Sequence, residues 1–299
     1  MRPEIQELLL ALEGEGYIAD LAIATAVFLA RDMQKPLLIE GDAGVGKTEL
    51  AKVLARLLGT ELIRLQCYEG LDVQTALYEW DYPRQLLRLR MSEGRGGDRP
   101  DPRDLESQIF SRDCLLERPL LRAITRERPP VLLINEVDRS DDGFEAFLLE
   151  LLSDFQVTIP ELGTVRADHP PHVVLTSNRT RELGDALRRR CLYLYIEHPT
   201  LDKEVRIIRT RWPQAQERLA LEVGRFLQAL RERRLVKPPG VAETLDWTRA
   251  LMSLRQDSLE PEVVTMTLGC LLKDRHDLET VTPSEITSLV SRVREGAQP

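Results

Sequence analysis

The chain has 299 residues, a length that allows one to three domains. Its 42% hydrophobic content can build a full core, and 30% charged residues give a well-solvated surface. A net charge of −8 argues against a protein that coats nucleic acid non-specifically, although a local basic patch stays open.

Residues 4–33 read as two helices separated by Gly14-Glu15-Gly16, the first with a Leu8, Leu9, Leu12 stripe and the second carrying Leu21 and Ala22. Pro36-Leu37-Leu38-Ile39 reads as a short buried strand. It leads into Gly41-Asp42-Ala43-Gly44-Val45-Gly46-Lys47-Thr48, which fits G-x-x-x-x-G-K-[ST] at every fixed position. Gly41, Gly44 and Gly46 let the backbone curl with its N–H groups inward. Lys47 offers a point charge to the β- and γ-phosphates of a nucleotide and Thr48 a hydroxyl to Mg²⁺. Glu49 opens a helix with apolar residues at Leu50, Ala51, Val53, Leu54, Leu57 and Leu58, whose N-terminus adds positive field, and Gly59 ends it. Tyr17 and Ile18, upstream of the strand, are candidates to grip a nucleotide base, with plain core packing as the competing reading.

Glu61 to Leu65 reads as a second strand and residues 72–79 as a short helix. Residues 80–104 read as a loop or insertion, with Gly94, Gly96, Gly97, Pro100 and Pro102 among Arg84, Arg88, Arg90, Arg95, Arg99 and Arg103. It is either a solvated flap or an element that touches substrate or faces a pore, and Tyr78, Trp80 and Tyr82 at its entrance either grip something or pack. A helix is expected over Leu115 to Ile124, ended by Arg128-Pro129-Pro130.

Val131-Leu132-Leu133-Ile134-Asn135-Glu136 has the form of a central parallel strand with a polar tip, a Walker B element with asparagine in place of the first acid. Glu136 stands where a carboxylate can polarise an attacking water. Asn135 keeps an oxygen for the Mg²⁺ shell but lacks the charge, so nucleotide binding is expected with weakened hydrolysis. An amphipathic helix over Gly143 to Phe155 and a β-hairpin over 155–167 follow. His169 and His172 bracket two prolines without a nearby third ligand, so no metal site is expected there. Val173 to Asn178 reads as another strand, with Asn178 placed to orient a water beside the γ-phosphate. Arg188, Arg189 and Arg190 precede a strand over Leu192 to Ile196; they are surface charges or arginines presented to a neighbouring copy's nucleotide. After residue 199 the patterns are helical: 202–211, 214–233, 241–254, 260–272 and 283–294.

Cys67, Cys114, Cys191 and Cys270 have apolar neighbours and no C-x-x-C pair, which suits buried free thiols in a reducing cytosol. The N-terminus shows no signal-peptide pattern, and the longest apolar helix candidate, Leu21 to Ala30, is far short of the roughly 20 residues that span a bilayer. A soluble, cytoplasmic protein is expected.

The order of phosphate loop, Walker B, polar strand-tip Asn178, arginine cluster and helical tail resembles the AAA+ ATPases over nearly the whole chain. The insertion at 80–104, the hairpin 155–167, Leu115 to Leu121 and Pro171 to Asn178 look like the MoxR family. Gln66 to Asp72 and Ala76 to Trp80 are similar to its branch associated with carbon monoxide dehydrogenase-type molybdenum hydroxylases. The resemblance implies an α/β P-loop core over 1–198, its parallel sheet flanked by helices on both faces, and an all-α lid over 199–299. It implies ATP and Mg²⁺ as ligands, a self-assembled ring, a hexamer, and a von Willebrand factor A-domain partner. It further implies a chaperone activity that matures a metalloenzyme client; the short apolar runs and the acidic balance, for their part, predict no membrane span and no nucleic-acid partner. By the same resemblance, residues 41–49 hold nucleotide, Thr48 and Asn135 serve the metal, Glu136 is the base and Asn178 the γ-phosphate sensor. Arg190, then Arg189, is the arginine finger. The family's lid arginine, expected after Pro238-Pro239, is not evident; Ala242 and Glu243 stand there, with Arg249 a weak substitute. The alternatives are a nucleotide-loaded scaffold with little turnover, which Asn135 invites, and a DNA-acting motor.

Overall fold

The computed structural model describes residues 2–93 and 102–295. Two helices, α1 (Pro3–Gly14) and α2 (Leu21–Asp32), precede β1 (Leu37–Glu40), and α3 (Lys47–Leu57) and β2 (Leu62–Gln66) follow. Asp72 caps α4 (Val73–Leu77) by accepting from the Thr75 N–H at 2.7 Å. Then come β3 (Tyr78–Trp80), α5 (Tyr82–Glu93), α6 (Pro102–Ile109), β4 (Leu115–Glu117), α7 (Pro119–Ile124) and β5 (Val131–Asn135). The run continues with α8 (Asp142–Asp154), the hairpin β6 (Gln156–Ile159) and β7 (Gly163–Arg166), β8 (His172–Ser177), α9 (Asp185–Arg190) and β9 (Leu192–Tyr195). The remainder is helical: α10 (Leu201–Arg211), α11 (Glu217–Arg231), α12 (Val241–Ser253), α13 (Pro261–Thr267), α14 (Arg275–Thr280) and α15 (Pro283–Glu295).

The chain divides into two compact units. One comprises Thr25–Glu40 and Ala51–Leu194 and is built on a five-stranded sheet of order β2-β5-β8-β1-β9. The pairings β2–β5, β5–β8 and β1–β8 are parallel. Parallel strands are covered on both faces, which is why β1 and β5 are buried along their whole length and read as unbroken apolar runs. Register sets the strand tips side by side, the polar Gln66 opposite Asn135 and Glu40 opposite Ser177, with Ile134 opposite Leu175 one step inside. The core of this unit gathers Leu38, Leu65, Leu121, Leu132, Ile134, Phe144, Leu148 and Leu175.

The other unit comprises Met1–Ala24, Gly41–Leu50 and Tyr195–Pro299. Its core is formed by one stripe each from α10, α11, α12, α13 and α15, including Ile208, Phe226, Leu230, Trp247, Leu251, Val264, Ile286 and Leu289. A buried polar knot ties α10, α11 and α12. Arg231 holds the fully buried Glu204 carboxylate through both oxygens at 2.7 Å and donates to the Pro239 carbonyl. Thr244 Oγ1 and Gln228 Nε2 complete the donor set around Glu204.

Four expectations are corrected. Residues 82–93 and 102–104, within the stretch read as a loop or insertion, are helical, and α6 runs on to Ile109; Asp81 Oδ1 accepts from the Arg84 N–H to start α5, and Leu, Arg and Gln are good helix formers. Gly94, Arg95, Gly96, Gly97, Arg99 and Pro100 lie outside the described residues. Tyr78–Trp80 is a strand rather than the end of a helix, because it pairs antiparallel with Leu115–Glu117. Those three residues are therefore extended too, and the helix expected from Leu115 begins at Pro119, whose fixed φ suits a first turn. The helix α14 has no apolar stripe and escapes periodicity. Tyr78 and Trp80 pack, with Trp80 edge-on to Phe110 at 5.2 Å, whereas Tyr82 is exposed. Cys67 and Cys114 are buried, but Cys191 and Cys270 are only half-buried, since each ends a short helical segment.

Removing one partner of the Glu204 knot leaves a buried, uncompensated charge. Arg231→Met is expected to destabilise the fold by about 3–5 kcal/mol, read as a lower midpoint in thermal or urea unfolding.

Candidate nucleotide site

β1 runs directly into residues 41–46, where a close neighbour requires glycine at 41 and 44 and the backbone angle favours it at 46. Gly41 has φ +154°, and a Cβ on it would stand 2.3 Å from the Ile196 carbonyl oxygen. A Cβ on Gly44 (φ +80°) would meet Gly240 Cα at 3.1 Å, and one on Gly46 (φ +100°) would face the Tyr17 ring. Lys47 is buried, and its ammonium donates to the Gly41 and Asp42 carbonyls at 2.6 and 2.7 Å. The loop is thus curled around its own lysine, ahead of the α3 N-terminus, where backbone N–H groups and helix dipole favour an anion.

Beside the loop lies a cavity of ≈ 240 Å³, walled by Tyr17, Ile18, Val45, Ile196, Ile207 and Leu245, with Glu49, Lys203 and Arg211 also on its lining. Its walls are mostly apolar, as a heteroaromatic ring requires. Burial, with the Asp20 and Glu49 charges nearby, pushes the Tyr17 hydroxyl well above its ordinary range, so it stays protonated. Both Tyr17 and Ile18 line this cavity. Ile207, Arg211 and Leu245 had no sequence signal beyond ordinary helix positions. Arg249 is engaged elsewhere, over the Trp212 ring at 5.7 Å.

The first turn of α12 closes on the loop. The Val241 N–H donates to the Gly44 carbonyl at 2.9 Å, and Glu243 Oε2 accepts from the Gly240 N–H at 3.0 Å. His198 Nε2 stands 3.2 Å from Asp42 Oδ2, off the line of a hydrogen bond; burial and the Arg231 guanidinium hold its pKa below the usual value.

In the sheet unit, the strand tips are stitched by polar side chains. Asn135 is buried; its Nδ2 donates to Gln66 Oε1 at 2.8 Å and its Oδ1 accepts from Thr176 Oγ1 at 2.9 Å. Thr176 Oγ1 in turn accepts from the Glu136 N–H at 3.0 Å. Arg64 also donates to Gln66 Oε1, which fixes that oxygen as an acceptor and matches it to an amide rather than a carboxylate at 135. Glu136 is left-handed (φ 55°, ψ 51°), a conformation that costs a non-glycine residue energy and clusters at functional positions. Its carboxylate pairs with Arg139 Nε at 2.9 Å. Asn178 begins the loop after β8, and its N–H donates to Asp138.

The three arginines of α9 differ. Arg188 lies over the Tyr193 ring and within 4.0 Å of Glu40, whose carboxylate also accepts from Tyr193 Oη at 2.9 Å. Arg189 and Arg190 are exposed. Burial pushes the Cys67 thiol up to about 12, with the Asp138 and Glu136 charges adding to it, and burial does the same at Cys191, so neither supplies a thiolate nucleophile. Among the described residues no group of three or more His, Cys, Asp or Glu side chains could hold a metal ion, and no helix is long and apolar enough to cross a membrane.

A glycine cradle with a buried lysine, opening a helix after the first strand of a parallel sheet, defines the P-loop NTPase class. Residues 36–191 match the AAA domain of the dynein-related subfamily, and the chain belongs to that family. It is 26% identical over 211 residues to the gas vesicle ATPase GvpN1 of Halobacterium salinarum, covering 68% of this chain and 58% of that protein's length. It shares its fold with a RuvB mutant of Thermotoga maritima: TM-score 0.50, 17% identity, 93% of this chain and 75% of that one. The RuvB Holliday junction branch migration motor of the same organism matches at TM-score 0.47 and 18% identity over 86% of this chain and 68% of that one.

Because a Cβ on Gly240 would stand 2.7 Å from the Ala43 carbonyl oxygen and from Gly44 Cα, Gly240→Ala must displace the loop backbone. Calorimetric titration with ATP is expected to show affinity reduced on the order of ten-fold, about 1.4 kcal/mol. Gly14→Ala, where a Cβ meets nothing within 4 Å, is expected to leave affinity unchanged.

Proposed function

We propose that this chain is an ATP-driven machine that works as a ring of identical copies and remodels a client protein. The observation that carries the reading is the glycine cradle around Lys47, continuous with an apolar cavity fit for a purine. Bound ATP with Mg²⁺ supplies the phosphoryl group to be transferred, held by residues 41–49 with Thr48 and Asn135 as the side chains nearest in kind to metal partners. Lys47 exchanges its loop carbonyls for phosphate oxygens. Glu136 accepts the proton of an attacking water, and Asn178 orients that water. Arg190 or Arg189, exposed at the end of α9, reaches a neighbouring copy's nucleotide, while Arg188 is kept at home by Glu40 and Tyr193.

The finer reading, a MoxR-type chaperone acting with a von Willebrand factor A-domain partner on a molybdenum hydroxylase of the carbon monoxide dehydrogenase type, rests on the resemblance of residues 66–72 and 76–80. Part of that string has a local reason to exist: Gln66 belongs to the strand-tip stitch and Asp72 caps α4. The chain spans 58% of the length of its gas vesicle relative, so that protein's printed role supports an ATPase reading here and no particular client. The acidic balance speaks against the DNA-motor alternative. A second reading, a scaffold that binds nucleotide and turns it over slowly, is favoured by Asn135, whose oxygen is already engaged by Thr176.

Steady-state phosphate release separates the two. Asn135→Asp is expected to raise turnover at least about ten-fold, the scale of one added charge-stabilising contact at a phosphoryl group. It is also expected to lower the unfolding midpoint without nucleotide, because Gln66 Oε1 loses a donor. Equal rates defeat the metal role of position 135. Lys47→Ala is expected to abolish ATP binding by calorimetry, and unaltered binding defeats the whole reading. Light scattering with ATP is expected to show assembly; monomer alone at high concentration removes the ring. A pull-down with a slowly hydrolysed ATP analogue, read by mass spectrometry, tests for the client.

A further inference from the structure

The turn that carries Glu136 holds a second acid that the proposed chemistry does not use. Asp138 is 2% exposed. Its Oδ2 accepts three hydrogen bonds from one short loop: the Asn178 N–H at 3.2 Å, the Thr180 N–H at 2.9 Å and Thr180 Oγ1 at 2.7 Å. The loop is shaped to deliver them. Arg179 between the two amides is left-handed (φ 60°), and its N–H turns back to Ser177 Oγ at 3.0 Å. The other oxygen, Asp138 Oδ1, is buried without a hydrogen-bond partner among the described residues.

A buried carboxylate is costly unless hydrogen-bonded, so the three donors on Oδ2 are what hold this one in place. All of its donors lie on the loop that begins with Asn178, while its own backbone belongs to the turn that begins with Glu136. The carboxylate is therefore a bracket between the tip of β5 and the tip of β8, added to the Thr176 contact that joins the same two tips.

We infer that Asp138 is a positioning residue that sets Asn178 against Glu136 by clamping backbone 178–180. The inference rests on the proposed roles of Asn178 and Glu136. It predicts a loss of turnover without a loss of nucleotide affinity, because displacement of a catalytic group by about 1 Å can cost on the order of 100-fold in rate.

The test uses the full chain, with phosphate release for kcat and calorimetry for ATP affinity. Asp138→Ala is expected to lower kcat by roughly 10- to 100-fold with affinity changed less than about three-fold. Asp138→Asn keeps an acceptor at the Oδ2 position and puts its amide where no donor competes, so it is expected to recover most of the rate. The decisive measurement is the double variant Asp138→Ala with Asn178→Ala, expected to be no slower than Asn178→Ala alone, because the clamp acts only through that residue. Multiplied losses in the double variant, or an affinity loss as large as the rate loss, overturn the inference and leave the roles of Glu136 and Asn178 standing. An Asn178→Ala chain that turns over at the parental rate overturns the role of Asn178, and the clamp with it. Should Asp138→Ala fail to fold, Thr180→Val, which deletes the 2.7 Å hydroxyl contact at an exposed residue, replaces it in the same cycle with a few-fold expected effect.

Discussion

A loop that must turn its N–H groups inward has to pack its outer side against something, and here that outer side is three bare Cα atoms. Gly41 fits under the Ile196 carbonyl, Gly44 against Gly240, and Gly46 against the Tyr17 ring. Each contact recruits a distant part of the chain: the lead-in after α1, the segment after β9, and the first turn of α12. The glycine spacing that serves phosphate on one side therefore dictates packing on the other. This is why the loop groups with the helical tail as one compact unit and why the cavity wall is drawn from Tyr17, Ile207 and Leu245.

The parallel strands were legible because burial on both faces writes itself as consecutive Val, Leu and Ile, and the strand, loop, helix order around Lys47 follows from a motif whose every position has a physical reason. What escaped obeys the same logic in reverse. The strands β3 and β4 have three residues each and exist only through their mutual pairing, across a stretch no local window covers. The helix α5 buries Gln85, which donates to the Ile109 carbonyl, and exposes Leu86, Leu87 and Met91, so its apolar period points the wrong way. Asp138 looks in sequence like any acid after a strand tip; only the fold of the loop after β8 turns it into a buried acceptor.

Asn135 illustrates how a departure from a motif can be locally consistent. With Arg64 and Asn135 both donating to Gln66 Oε1, and Thr176 donating to Asn135 Oδ1, the row of hydrogen bonds has one direction across β2, β5 and β8. A carboxylate at 135 has no N–H to give Gln66 Oε1, so it would break one link and set two acceptors face to face. The residue is thus fitted to its neighbours in the sheet as well as to any ligand, and a gain in charge there trades against order at the strand tips.

The six residues of α9 carry three arginines in succession, chemically alike and about 100° apart around the axis. One is tethered to Glu40 and Tyr193 within the same molecule, and the next two face outward. Identity at these positions is consequently redundant while phase is not: inserting or deleting a single residue ahead of Arg188 would rotate a different guanidinium onto the tether and swing the present one into solvent. The number of residues that separate Leu187 from the strand that follows is therefore as strict a requirement as the arginines themselves.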